Sequence, residues 1–225
     1  MYYNDKVIVE TMHGVTVYTQ VSVSANEEVK WNAGEDKAFK DGAFSAEEEL
    51  CNIAALEMSG WTADMGVVEI YNSAYGSEID RVYNNKTGGT IYVEDKYREP
   101  EEVISNPDVF IEPEKFDFLK ERSKETTAIY RNYVKDRDLV FVWIINNIDD
   151  YQYHKNVKIK DKTMACGYSI EDRIGLFKSD AYKYTKGGSL IAEPRTKSCR
   201  GYPMPKKVAL DFKRLVWDKN VINNL

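Results

Sequence analysis

Histidine and cysteine are scarce in this chain, with two and three copies in 225 residues, and that scarcity removes several chemistries at once. Cys51, Cys166 and Cys199 are odd in number, widely spaced and form no CxxC, so neither a disulfide framework nor a thiolate zinc site is expected. His13 and His154 are too few for a histidine zinc site, and a Ser/His/Asp triad is disfavoured. No apolar run approaches the ~20 residues that span a bilayer. The start, Met1-Tyr2-Tyr3-Asn4-Asp5, lacks the basic and apolar segments of a secretory signal, and the cytoplasm is the expected compartment. Six prolines and 13 glycines are too few for a collagenous or low-complexity chain.

What is present suits a packed domain. Hydrophobic residues make up 43% of the chain and 16 tyrosines supply large side chains to bury, so a single domain over 1–225 is expected. Its parts are an N-terminal hairpin and loop (1–43), a core (44–147) and a basic C-terminal extension (148–225). The net charge of -6 conceals a division: residues 151–225 hold 16 Lys and Arg against 7 acids, while residues 1–150 hold 15 against 30. A basic last third suits a polyanionic partner, and acids elsewhere suit a metal or solubility.

Residues 7–23 alternate as a hairpin about His13-Gly14. Ser45 and Glu48 have capping-box spacing, and Leu50, Ile53, Ala54, Leu56 and Met58 continue a helix that Gly60 closes. A strand is predicted at 67–71. Two more, at 78–84 and 90–97, are joined by the loop Asn85-Lys86-Thr87-Gly88-Gly89. Pro113, Phe116, Leu119, Ser123, Thr126, Tyr130 and Tyr133 recur at roughly 3.5 residues and predict a helix over 113–135. The apolar run Leu139–Ile145 predicts a strand covered on both faces. Beyond 150 the pattern weakens, with loops at 186–188 and 201–203 and a final helix near 206–217. The fold class is α/β with a mixed central sheet flanked by helices.

The chemistry lies in Glu78-Ile79-Asp80-Arg81 and Val93-Glu94-Asp95-Lys96. If 85–89 is the loop, Asn84 pairs with Thr90, and continuing the antiparallel register sets Asp80 opposite Glu94. Strand alternation puts Lys96 on their face and turns Asp95 away. Opposed carboxylates repel unless a cation lies between them, and oxygen ligands favour Mg²⁺ or Mn²⁺. A lysine beside such a pair suits the orientation of an attacking water or the neutralisation of phosphate charge.

Over residues 44–147 this arrangement resembles the PD-(D/E)XK nuclease superfamily, with its restriction-endonuclease-like core of helix, three strands, helix and strand. Asp80 resembles the first acid of its motif and Glu94-Asp95-Lys96 the E-x-K half. Glu49, eleven residues before Gly60, matches the spacing of the helical glutamate found in the family. The resemblance implies that Asp80, Glu94 and the backbone carbonyl of Asp95 hold metal, that Lys96 positions the water, and that Glu49 supports the metal through water. The family's proline before the first acid is missing, as is the glutamine that some members carry on the following helix. Within the helix at 44–60 only the family spacing selects Glu49, since Glu48 has the capping role and Glu47 lies nearer the apolar centre.

Arg195, Lys197, Arg200, Tyr202, Lys206 and Lys207 form a basic, aromatic-interleaved stretch suited to a nucleic-acid backbone. The expected function is thus a Mg²⁺-dependent nuclease acting on DNA, with RNA open as a substrate and a homodimer as a possible assembly. The composition fits a phage or mobile-element product. Two competing readings stand beside it. The acids of 78–96 form only the solvated face of an exposed hairpin, or the chain is a non-catalytic binding protein that engages nucleic acid or protein through its basic C-terminal region.

Overall fold

A computed structural model describes residues 6–12, 14–21, 66–72, 79–160 and 166–194. The helix expected at 44–60, with Glu49, and the basic stretch from Arg195 to Lys207 lie outside the described residues. The described chain is mostly strand, an α/β arrangement about a mixed sheet. No helix among the described residues is long and apolar enough to cross a membrane.

The N-terminal hairpin comprises β1 (Lys6–Met12) and β2 (Val15–Val21). Next come β3 (Val67–Asn72), β4 (Arg81–Asn85) and β5 (Thr90–Arg98). A short helix α1 (Pro100–Ile104) and β6 (Asp108–Ile111) lead into α2 (Pro113–Arg122). The chain continues as β7 (Thr127–Val134), β8 (Val140–Ile144), β9 (Gln152–Lys160), β10 (Tyr168–Phe177), β11 (Tyr182–Tyr184) and β12 (Leu190–Ala192). Nine strands form the main sheet in the order β1-β2-β3-β4-β5-β7-β8-β11-β12, and β6-β10-β9 form a second sheet. Within the main sheet β2–β3 and β5–β7 are parallel and the other pairs antiparallel.

The parallel β5–β7 pair needs a crossover, which α1, β6 and α2 supply together. The helix expected over 113–135 ends at Arg122, and its second half is β7. All eight β7 residues are buried, so apolar spacing carries no information there; Thr127, Ile129, Tyr130, Tyr133 and Val134 are β-branched or aromatic and fit a pleated surface. Asn146, beyond β8, closes the junction: its amide donates to the carbonyls of Ser123 and Thr126 and its oxygen accepts from the Ala128 N–H.

Both faces of the central strands are buried. Val17, Ile70, Tyr83, Ile91, Val93, Ile129 and Val142 pack on one face, and Tyr130, Trp143, Phe116, Leu119, Ile174 and Leu176 on the other, where α2 and the second sheet lie. The run at 139–145 is accordingly a doubly covered strand, as its continuous apolarity implies. The described residues after 150 carry more regular structure than their weak pattern implies: β11 and β12 extend the main sheet, and β9 and β10 build the second with β6.

One glycine in the second sheet is required by close approach. A Cβ on Gly175 would lie 2.1 Å from Asp108 Oδ2 and 2.7 Å from His154 Nε2, the two atoms that form a 2.8 Å pair across the sheet. Gly175→Ala is expected to break that pair and cost ~1–3 kcal/mol, lowering the melting temperature by several degrees. An unchanged melting curve would mean that the pair yields without cost.

Candidate active site around Glu94

The β4–β5 loop fixes the register from which everything else follows. Asn85 Oδ1 accepts from the N–H groups of Thr87 and Gly89 at 3.0 and 2.7 Å, and Gly88 takes a φ of 82° that a side chain rarely adopts. Asn84 pairs with Thr90 and Arg81 with Val93, where β4 ends, and the same register carried one residue further would set Asp80 against Glu94. Asp80 stands just beyond the end of β4, where its Oδ2 accepts the Asp95 N–H at 2.7 Å. An extended residue presents its N–H and C=O on one edge, so the Asp95 carbonyl shares that edge with Asp80.

Glu94 is 0% exposed, which overturns the solvated-hairpin reading. Its Oε2 accepts from Lys115 Nζ at 3.0 Å, and Lys96 Nζ lies 3.8 Å from Oε1. Oε1 itself is buried and has no hydrogen-bond partner among the described residues. Burial pushes the Glu94 carboxyl up to about 8; the Asp80 charge adds to the rise, and Lys96 and Lys115 oppose it. Such a group holds its proton more tightly folded than unfolded. Stability is therefore fullest below the ordinary carboxylate range and falls as pH rises toward about 8. In EDTA the melting temperature is expected to fall between pH 5 and 8, and Glu94→Gln to flatten that slope. Equal slopes for the two proteins would exclude Glu94 as the cause.

The Asp95 carboxylate belongs to the opposite face, as strand alternation requires. Arg81 Nε donates to Oδ2 at 2.6 Å, and Arg131 donates to Oδ1 and Oδ2 at 2.7 and 2.8 Å. Arg131 also donates to the Tyr83 hydroxyl, and Arg81 to Asn72 Oδ1. Burial pushes the Asp95 carboxyl up, but the two guanidiniums outweigh it and hold it below its ordinary value. The side chain is thus committed to arginine, and only the Asp95 carbonyl can serve a metal. Among the described residues no group of three or more His, Cys, Asp or Glu side chains is arranged to hold a metal ion.

The Glu94 face carries more than the sequence count finds. Lys115, in the first turn of α2, is the direct partner of Glu94. Asn132 sits beside Lys96 in the β5–β7 register, with its Oδ1 accepting from Arg98 Nε and its Nδ2 buried without a partner among the described residues. Glu112, just before α2, has a buried Oε2 in the same condition; burial pushes its carboxyl up, and Lys96, Arg173 and Arg98 bring it below its ordinary value. Three buried polar atoms without hydrogen-bond partners among the described residues therefore lie along one face of β5, β7 and the start of α2.

Lys120 in α2 and Lys124 just beyond it have structural duties. Lys120 donates to the carbonyls of Ile145 and Ile148, and Lys124 pairs with Glu121. Arg122 lies over the Tyr92 and Phe118 rings. Cys166 is exposed, with its Sγ 3.0 Å from the Tyr168 carbonyl oxygen. No protein-family model matches this chain, and no curated protein is matched by it.

Proposed function

We propose that the chain is a divalent-metal-dependent nuclease of the PD-(D/E)XK kind, acting on DNA phosphodiesters. The observation that carries the reading is Glu94: a fully buried carboxyl with one oxygen lacking a hydrogen bond among the described residues, beside the Asp80 charge and flanked by two lysines. Burying a carboxylate is costly unless a partner compensates it, and an unfilled oxygen beside a second carboxylate is the environment a hard cation relieves. The order of elements supports the same reading. β3, β4 and β5 form an antiparallel meander, and α2 leads into β7, parallel to β5, which is the strand order expected of a restriction-endonuclease-like core.

Asp80, Glu94 Oε1 and the Asp95 carbonyl would hold Mg²⁺ or Mn²⁺, with Glu49 as an outer support. When bound, such an ion activates a water and neutralises charge on the scissile phosphate. The residues of the chain do the rest. Lys96, on the Glu94 face, holds the attacking water or a phosphate oxygen through its ammonium donors. Lys115 orients the Glu94 carboxyl and opposes the burial that raises it, and the N–H of Asp95 fixes the rotamer of Asp80.

The test is incubation of the purified chain with supercoiled plasmid, branched DNA, single-stranded DNA and RNA in Mg²⁺, Mn²⁺ or EDTA, beside Lys96→Ala. Metal-dependent cutting that disappears in the variant is the expected result, and it ranks the substrates. A folded chain that cuts nothing would move the assignment to a non-catalytic binding protein whose acidic pair is structural.

A further inference from the structure

The second sheet carries an arm. β6 pairs with β10 only from Ile174 to Phe177, whereas β9 and β10 remain paired out to Lys160 and Tyr168. From Lys155 outward the two strands therefore form a two-stranded ribbon beyond the cover of β6, about 20 Å long at ~3.4 Å per residue. A bulge opposite Asp172, with Asn156 at φ 53°, resets the alternation of β9. Tyr153, paired with Ile174, and Lys158 and Lys160, paired with Ile170 and Tyr168, consequently share one face.

That face is basic, aromatic and exposed. Lys158 and Lys160 are exposed on it, Tyr153 is 53% and Ile170 61% exposed, and Lys158 Nζ lies 3.8 Å from the centre of the Tyr168 ring; Lys155, unpaired in the bulge opposite Asp172, is exposed as well. The acids among the described residues of the arm are each hydrogen-bonded or paired. Asp172 accepts from the Tyr153 hydroxyl and the Asn156 N–H, and Glu171 pairs with Arg173 and accepts from Ser169. Arg173 offsets Glu171 and Asp172 offsets one lysine, with Lys155 acting on it, so the described arm keeps a net charge of +2 among exposed lysines. At the base of the arm the opposite face of β10 meets the candidate site: Arg173 Nη2 lies 3.8 Å from Glu112 Oε1, and Glu112 is within electrostatic reach of Lys96.

We infer that the β9–β10 ribbon is a duplex-binding arm that lies along a groove of DNA, with Lys155, Lys158 and Lys160 on the phosphates and Tyr153, Tyr168 and Ile170 against the groove. A two-stranded ribbon has the width that the major groove of B-DNA admits, and lysines spaced along it meet successive phosphates. The inference rests on the nuclease reading for where the duplex runs, from the arm toward Lys96 and Glu94. It needs no reaction for binding itself.

The test is fluorescence anisotropy of a labelled 25-base-pair duplex with the full chain in EDTA over a series of salt concentrations. The triple variant Lys155→Gln, Lys158→Gln, Lys160→Gln is expected to bind at least tenfold more weakly and to reduce the slope of log K against log salt by about 2 to 3, since each lost phosphate contact removes ~0.9. The matching Lys→Arg triple variant is expected to retain the affinity, and circular dichroism checks that both fold. An unchanged affinity and slope in the glutamine variant overturns the arm, as does a wild-type chain that binds no duplex or prefers single strands. A chain that cuts nothing in Mg²⁺ but loses duplex affinity with the three glutamines keeps the arm and loses the nuclease. A chain that cuts DNA with binding indifferent to those glutamines does the reverse.

Discussion

Asp95→Ala is expected to destabilise the protein by ~3–5 kcal/mol. Arg81 and Arg131 are 2% and 1% exposed, and both donate to this one carboxylate. Removing it leaves two buried guanidiniums without the anion that they share, and water cannot replace it without opening the sheet. Asp95→Asn keeps the shape and removes the charge, so it separates electrostatics from packing. It too is expected to lose several kcal/mol, which for a chain of this size is roughly 2–4 °C of melting temperature per kcal/mol. The pH dependence has a definite sign. The folded Asp95 carboxyl lies below its ordinary value, so its contribution is present above that value and is lost as pH falls through the folded one. An Asn variant within ~1 kcal/mol of wild type in urea denaturation would show that the arginine pair is content without its carboxylate.

How much of this was legible in the sequence depends on how local the determining physics is. The β4–β5 hairpin could be counted residue by residue because its loop is self-contained: Asn85 supplies the turn's acceptor and Gly88 its positive φ. Counting outward from that loop reaches the Asp80–Glu94 face without knowledge of any other strand. β7 could not be reached so. Its residues are buried on both faces, so Tyr130 and Tyr133 continue the helical spacing of Phe116 and Leu119 only because every position of β7 is buried. The β-branched and aromatic residues of Thr127–Val134 were the signal against a helix, and the tertiary environment decided the matter.

The same limit governs the site. Alternation alone turned Asp95 away from Glu94, but its partner Arg131 lies on the strand that the helical pattern conceals, so the buried ion cluster was invisible in the sequence. Lys115 was visible as one of several cations on a helix, with nothing local to distinguish it from Lys120 or Lys124. What distinguishes it is position: two residues after the helix-initiating Pro113, it looks onto β5. The arm was hidden for another reason. Gln152–Lys160 is polar on both sides and interrupted by the bulge at Asn156, which defeats a period-two count.

Lys96→Ala is expected to lower the cleavage rate by ~10²–10⁴-fold while leaving duplex affinity in EDTA within about threefold of wild type. The argument is one of placement. Lys96 lies on the face of Glu94, at the edge of β5 nearest Asn132 and Glu112, whereas the cations of the arm lie on another sheet. One ammonium among many adds little to non-specific affinity, but at the reacting phosphate it acts on charge that develops only in the transition state. Asp80→Asn and Glu94→Gln are expected to match it in rate and to differ in metal response, because each removes a ligand. Raising Mn²⁺ should recover part of the rate for these two and none for Lys96→Ala. Single-turnover cleavage across a metal titration reads all three. If Lys96→Ala cuts within threefold of wild type at saturating metal, Lys96 serves only to compensate the charge of Glu94, and the water must be positioned by another group on that face, with Lys115 the first to examine.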